Sequence, residues 1–129
     1  MRVGIATLLA ASFVIAASVS SLADETAKRR TLSLTATAYN SVPAQTNSEP
    51  NIAAWGDPLT PGMKVIAVSR DLLEIGLTRG AEVEIDGIPG TYRVLDKMGR
   101  RWEKRIDIYM GEDIQAAREW GVRNVRIRY

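Results

Sequence analysis

The sequence predicts a mainly β protein, a small closed barrel of six strands with one or two short helices. Six short segments are either apolar or alternate apolar with polar residues, and turn-forming residues separate most of them. Only one segment has convincing helical spacing. The length of 129 residues, with 46% hydrophobic and 25% charged residues, is typical of a single globular domain. A sheet of short strands that closes on itself leaves no exposed edge.

The first strand is followed by an unusually long loop. Residues 32–39 alternate Leu or Ala with Ser, Thr and Tyr, which is the period-two pattern of a strand. Residues 40–61 contain four prolines and no periodicity, which indicates a long surface loop. Trp55 in this loop is either a platform for a sugar ring or an anchor that packs the loop onto the barrel. Residues 63–68 form a short apolar run, which predicts a buried strand.

A short helix and a hairpin follow the second strand. Ser69 is placed to cap a helix over residues 70–77, with Asp71 in the first turn, where the helix dipole favours negative charge. Residues 81–86 and 91–95 are predicted strands. The turn between them contains Gly and Pro, and this combination predicts a β-hairpin.

The strand predicted over residues 105–110 carries the feature that points to chemistry. Its alternation places Ile106 and Ile108 on the inward face and Asp107 and Tyr109 on the outward face. An aspartate stands out in a strand that is otherwise mostly apolar. Because it lies on the outward face, Asp107 need not be buried.

A helix and a final strand complete the chain. The helix is predicted over residues 111–121, with Asp113 at its N-cap and Gly121 just past its last turn. Residues 122–129 alternate again and predict the sixth strand. The predicted core consists of inward-facing aliphatic residues from three of the strands: Val83, Ile85, Ile106, Ile108, Val125 and Ile127.

The composition excludes several classes of chemistry. The chain contains no Cys and no His. Disulfides, thiolate nucleophiles, thiolate-bound zinc, Ser-His-Asp triads and imidazole metal sites are therefore excluded. We expect no metal and no cofactor, so any acid–base step must use Asp, Glu, Lys, Tyr or Arg. With 17 basic and 15 acidic residues, the net charge is +2, and nucleic acid is not an expected partner.

The N-terminus has the pattern of an export signal. Arg2 precedes an apolar run over residues 3–19, and Ser21 and Ala23 occupy the −3 and −1 positions of a cleavage site. This pattern predicts a signal peptide over residues 1–23. The alternative is an uncleaved membrane anchor, which the run disfavours because it is shorter than the roughly 20 residues of a spanning helix.

Export has consequences for the rest of the chain. Residues 24–31 are polar and are expected to form a linker, and residues 32–129 are expected to form the barrel domain. After cleavage we expect no membrane span and a monomeric protein. An exported protein without disulfides fits a bacterial envelope, so the expected locations are the periplasm, the outer membrane or the medium.

We predict that the mature protein begins at Asp24, because small residues stand at both key positions of the cleavage site. N-terminal sequencing of the protein from the envelope fraction checks this. Ala23→Arg, which removes the small residue next to the cut, should keep the chain at full length. A wild-type chain that still begins at Met1 would contradict the prediction.

Two aspartates are close in sequence at the ends of neighbouring predicted strands. Asp96 follows one strand and Asp107 lies within the next, with a loop of only ten residues between them. Two carboxyl groups at one groove are the minimum equipment for cleaving a glycosidic bond. The alternative is that both aspartates are structural and cap turns or pair with arginine.

Several short stretches, taken in order, carry a resemblance to a known family. They are Thr37-Ala38-Tyr39, Ile66-Ala67-Val68 leading to Asp71, Gly80 with the strand over 83–85, Val94-Leu95-Asp96, and Arg105-Ile106-Asp107-Ile108-Tyr109. This order resembles the 3D domain, named for its three aspartates. It is also similar to the catalytic barrel of membrane-bound lytic transglycosylase A. The resemblance spans about residues 34–129.

The resemblance implies a double-psi β-barrel and cleavage of peptidoglycan between N-acetylmuramic acid and N-acetylglucosamine. It assigns the catalytic acid to Asp107, and the other two family aspartates correspond to Asp96 and Asp71. Peptidoglycan glycan strands are the expected partner. The residues expected to contact substrate around the catalytic pair are Tyr39, Trp55, Asp71, Trp102, Arg105 and Tyr109.

One departure from the family pattern keeps other functions open. The glycine-rich run that the family has after its second aspartate is replaced by residues 97–103, which retain only Gly99. This loop is bulkier and more charged. A non-catalytic module could hold glycan strands through Trp55, Trp102 and Tyr109. A structural or partner-binding envelope protein, whose aspartates only brace turns, is the third possibility.

Overall fold

Residues 29–41 and 51–129 are described by the computed structural model. In them the strands are β1 (Thr31–Tyr39), β2 (Val65–Val68), β3 (Glu82–Ile85), β4 (Thr91–Lys97), β5 (Arg105–Tyr109) and β6 (Arg123–Arg128). The helices are α1 (Arg70–Leu73) and α2 (Ile114–Trp120). The predicted signal peptide, most of the predicted linker and residues 42–50 of the long loop lie outside the described residues.

The six strands form one closed barrel in the order β1-β5-β2-β4-β3-β6. Two neighbouring pairs are parallel, β1 with β5 and β2 with β4, and the other four pairs are antiparallel. The prediction of a mainly β, six-stranded barrel with short helices is confirmed. This mixed topology is consistent with the double-psi arrangement. No helix among the described residues is long and apolar enough to cross a membrane.

Period-two alternation places the core inside the barrel. The inward residues of β3 and β5 are at most 3% exposed, and Ile127 of β6 is fully buried. Val125 of β6 is partly buried and packs against this core. The predicted inward faces are therefore confirmed, because alternate side chains of a strand point to opposite sides of the sheet.

The sequence predicts the ends of α2 better than those of α1. In α2, Asp113 accepts a hydrogen bond from the Ala116 N–H at 3.0 Å, and Gly121 ends the helix with a φ of 64°, as predicted. In α1, Ser69 holds the N-cap position without a side-chain capping bond, and the helix stops at Leu73. The capping prediction for Ser69 is wrong because its hydroxyl accepts the Arg105 N–H of β5 instead.

A second buried cluster lies on the outer face of β2 and β5. Residues 51–60, which we call the covering loop, place Ala53 and Leu59 against Val65 and Tyr109. Tyr109 is only 4% exposed as a result. The outward face of β5 is therefore partly covered, because the loop forms a second apolar layer over part of the barrel. Asp107 itself keeps intermediate exposure.

Candidate active site

Four residues on four neighbouring strands form one row across the outer face of the barrel. Ala67 of β2 pairs with Asp96 of β4 on one side and with Asp107 of β5 on the other. Thr37 of β1 pairs with Asp107. Directly paired residues point to the same side of a sheet, so both carboxyl groups lie on one face. Their backbones are two strand spacings, about 10 Å, apart. We call these four residues the carboxylate row.

A β-bulge places Asp96 in this row. Ile66 pairs with Val94, but the next residue, Ala67, pairs with Asp96, so Leu95 is the extra residue of β4. In a regular ladder Ala67 would pair with Leu95, and Asp96 would share the inward face of Val94. The bulge therefore turns the carboxylate outward, into the row that Asp107 also occupies.

The Asp96 side chain accepts three hydrogen bonds. The Tyr39 hydroxyl donates to Oδ2 at 3.3 Å. The backbone N–H groups of Ala54 and Lys97 donate to Oδ1 at 2.8 Å and 2.9 Å. An ionised carboxylate offers acceptors only, so this set of donors fits the charged form. The bond from Ala54 also ties the covering loop to the carboxylate row.

Asp107 is a partly buried carboxyl group. Burial raises the pKa of Asp107 from 3.8 to about 6. The hydrogen bond that the Thr37 hydroxyl donates to Oδ1, at 3.1 Å, and the charge of Arg105 both lower this pKa, whereas the charge of Asp96 raises it. Asp107 therefore keeps its proton in mildly acidic solution, as a general acid must.

Tyr39 contacts both Asp96 and Tyr109. Its hydroxyl bonds to Asp96, and its ring centre lies 5.5 Å from that of Tyr109, with the planes tilted by 54°. Burial and the charges of Asp96 and Asp107 raise the pKa of Tyr39 far above its usual range. The Tyr109 hydroxyl in turn lies 2.8 Å from the Ser41 hydroxyl. Tyr39 therefore supports the row in its neutral form.

Arg105 is the first residue of β5, and Trp102 lies three residues before it in the connection from β4. The guanidinium carbon of Arg105 is 4.2 Å from the centre of the Trp102 ring, and that of Arg101 is 4.5 Å from it. Both are cation–π contacts. The ring of Trp102 thus packs with two guanidinium groups next to the strand that carries Asp107.

Trp55 packs against the core of the barrel, and the Lys97 ammonium lies 5.5 Å from its ring centre. This placement favours the anchor interpretation of Trp55 over the sugar platform.

Asp71 accepts the Lys104 N–H at 2.9 Å, so its carboxylate supports the end of the loop before β5. Desolvation by itself raises the pKa of Asp71. Hydrogen bonds from Ser69 and from backbone N–H groups lower it by more, so the pKa lies below its usual value.

The residues brought together are therefore Asp96, Asp107, Tyr39 and Tyr109, with Arg105 at the edge. Within residues 29–41 and 51–129, no group of three or more His, Cys, Asp or Glu side chains could hold a metal ion. The chemistry available is that of two carboxyl groups in different environments. One is partly buried and has a pKa raised to about 6, and the other is held by three donors. Two carboxyl groups in such different environments are the arrangement found in acid–base pairs.

The sequence did not indicate a site role for Thr37, Ala54 or Ala67. Alternation already puts Thr37 and Ala67 on the outward faces of their strands, but strand order and register decide that they lie beside the aspartates. Ala54 contributes only its backbone N–H. No side-chain pattern marks a backbone donor.

The chain matches no protein-family model, and no curated protein matches it. The resemblance to the three-aspartate family therefore stays a prediction.

Proposed function

We propose that the protein is a lytic transglycosylase that cleaves peptidoglycan glycan strands between N-acetylmuramic acid and N-acetylglucosamine in cell-wall turnover. The observation that carries the proposal is the environment of Asp107. It is a partly buried carboxyl group whose pKa is raised to about 6, in one row with a second carboxylate. Asp107 is the catalytic acid in this proposal.

The reaction needs one group that first gives and then takes a proton. Asp107 protonates the glycosidic oxygen, and the bond from that oxygen to C1 of the muramic acid breaks. The resulting carboxylate accepts the proton of the muramoyl C6 hydroxyl, whose oxygen bonds to C1. The products are a 1,6-anhydro end and a free hydroxyl end, and no external water is consumed.

The residues around Asp107 either supply negative charge or hold a carboxyl group in position. Asp96, with its three donors, supplies negative charge two strands away that stabilises an oxocarbenium-like transition state. The Thr37 hydroxyl holds one oxygen of Asp107, which leaves the other for the substrate. Tyr39 is a positioning residue that keeps Asp96 in place.

The direct test uses purified sacculi. Wild-type protein is incubated with them, the soluble products are separated, and their masses are measured by mass spectrometry. Products with 1,6-anhydromuramic acid ends support the proposal. Products that have gained one water would indicate hydrolysis, and absence of soluble products would contradict cleavage.

We predict that the cleavage rate falls as pH rises through about 6. The acid step requires protonated Asp107, and burial raises its pKa from 3.8 to about 6. Above that value the protonated fraction falls about tenfold per pH unit. Measuring kcat/KM between pH 4 and 8 checks this, with the melting temperature followed as a control. A rate that is flat across pH 6, or rises there, would remove Asp107 as the acid.

A glycan-binding module without catalysis is the second candidate. It is favoured by the covering loop, which packs on the outer face and already bonds to Asp96 through Ala54. A site whose carboxylate is engaged internally can hold a ligand without doing chemistry. Pull-down with sacculi, without release of soluble products, would support this candidate over the enzyme. Failure of both assays would favour a structural role.

A further inference from the structure

Positive charge is concentrated at the connection between β4 and β5. Six basic side chains lie in this connection, at its two ends or bonded to it: Lys97, Arg100, Arg101, Lys104, Arg105 and Arg70. Three acidic residues, Asp71, Asp96 and Glu103, belong to the same region. The rest of the chain holds 11 basic and 12 acidic residues, so this region accounts for the net positive charge. We call it the basic turn.

The basic turn is held in place by the barrel. The Met98 N–H donates to the Val68 carbonyl oxygen at 2.8 Å, and the Trp102 N–H closes a tight turn onto the carbonyl three residues earlier at 3.2 Å. Lys104 adopts a φ of 47°, which is uncommon for a residue with a side chain, and Asp71 binds its N–H. The cations are thus presented from an ordered backbone, which lowers the entropic cost of binding a ligand.

Four of the six cations of the basic turn are available to a ligand. Arg70, Arg100, Arg101 and Lys104 are exposed. In the described part of the chain, the ion pairs that form lie elsewhere on the barrel. Trp102 holds the guanidinium groups of Arg101 and Arg105 against its ring. Guanidinium groups bind planar anions such as carboxylates through paired hydrogen bonds.

The turn leads directly into the proposed active site. Arg105 is two residues before Asp107 on β5 and lowers its pKa through its charge. A ligand on the basic turn would therefore lie next to the scissile bond. The sugar rings of peptidoglycan are uncharged, whereas the peptides attached to muramic acid carry carboxylates.

We propose that the basic turn binds the peptide carboxylates of peptidoglycan and so places a peptide-bearing muramic acid at Asp107. The proposal rests on the proposed function and narrows its substrate to peptide-bearing strands. Surface charge pairs are individually weak, so the effect is expected to come from several of them together.

The test compares native sacculi with sacculi whose carboxyl groups have been converted to methylamides by carbodiimide coupling. Binding is measured by co-sedimentation for the wild type and for two double variants. R100Q/R101Q removes two charges from the basic turn, and R93Q/R118Q removes two exposed charges outside it. The wild type and R93Q/R118Q should bind native sacculi about 3- to 30-fold more tightly than amidated sacculi.

R100Q/R101Q should lose most of this preference while keeping the melting temperature of the wild type. Raising the salt concentration should reduce the preference of the wild type in the same direction. Equal binding of native and amidated sacculi by the wild type would overturn the proposal. An unchanged preference in R100Q/R101Q, or an equal loss in R93Q/R118Q, would overturn it as well.

Two further measurements separate this proposal from its alternatives. Binding to vesicles of phosphatidylglycerol and phosphatidylcholine, or to a DNA duplex, that is as tight as binding to sacculi and equally lost in R100Q/R101Q would overturn it in favour of a general polyanion surface. Carboxylate-dependent binding without release of anhydro products would support the basic turn and contradict the lytic activity. The two proposals can therefore fail independently.

Discussion

Asp107→Asn is expected to abolish release of 1,6-anhydro products from sacculi while the protein stays folded. The amide is nearly isosteric with the carboxyl group, and its oxygen can still accept the Thr37 hydroxyl bond. It cannot give and then take back a proton, so the rate should fall by at least about 10²–10⁴-fold. The same product assay by mass spectrometry measures the loss.

The stability of this variant separates a catalytic from a structural role. Burial raises the pKa of Asp107 from 3.8 to about 6, so between these values the folded protein holds a proton that the unfolded chain has lost. For this group, the free energy of unfolding is greatest below about pH 4 and falls as pH rises to about 6. The amide has no such dependence. At pH 7 Asp107→Asn should therefore be at least as stable as the wild type.

Asp86→Asn is the matched control, because Asp86 is exposed and lies outside the carboxylate row. It should keep both the activity and the pH dependence of stability of the wild type. If Asp107 instead braces the barrel through Thr37 and Arg105, its amide variant should unfold at lower temperature and lose activity in proportion. Full activity in Asp107→Asn would contradict the proposed acid.

Ile106→Ala should lower the free energy of unfolding by about 2–5 kcal/mol, through lost transfer free energy and the cavity left behind. Ile106 is fully buried, and its strand neighbours are Ala36 of β1 and Val68 of β2, which are also fully buried. Small residues such as Ala36 cannot close a cavity by changing rotamer. Urea unfolding curves at one pH measure the change.

Ile75→Ala makes a useful comparison, because Ile75 is 42% exposed. Its truncation removes the same atoms but leaves no closed cavity, so it should cost well under the value for Ile106. The difference between the two losses of unfolding free energy measures the effect of burial, because the side-chain atoms removed are the same. A loss below about 1 kcal/mol for Ile106→Ala would mean that the inward face of β5 is assigned wrongly.

The elements themselves follow from local sequence. Alternation over β1, β3, β5 and β6 predicts which residues enter the core, because a strand turns its side chains to opposite faces at every step. Helix α2 follows from the Asp113 cap and the Gly121 end, since both act within one turn of the backbone. The failures concern contacts made over long distances. Ser69 does not cap α1 because β5 supplies a competing partner for its hydroxyl.

The candidate site likewise depends partly on local sequence and partly on long-range contacts. Sequence by itself identifies Asp96 and Asp107 as two carboxyl groups near the ends of successive strands, and places Asp107 opposite the Ile106–Ile108 face. Only the tertiary structure puts them in one row. The β2 strand lies between β4 and β5, the bulge at Leu95 turns Asp96 outward, and the covering loop adds Ala54 as a donor. Strand order, register and burial depend on contacts between residues far apart in the chain, and these also raise the pKa of Asp107.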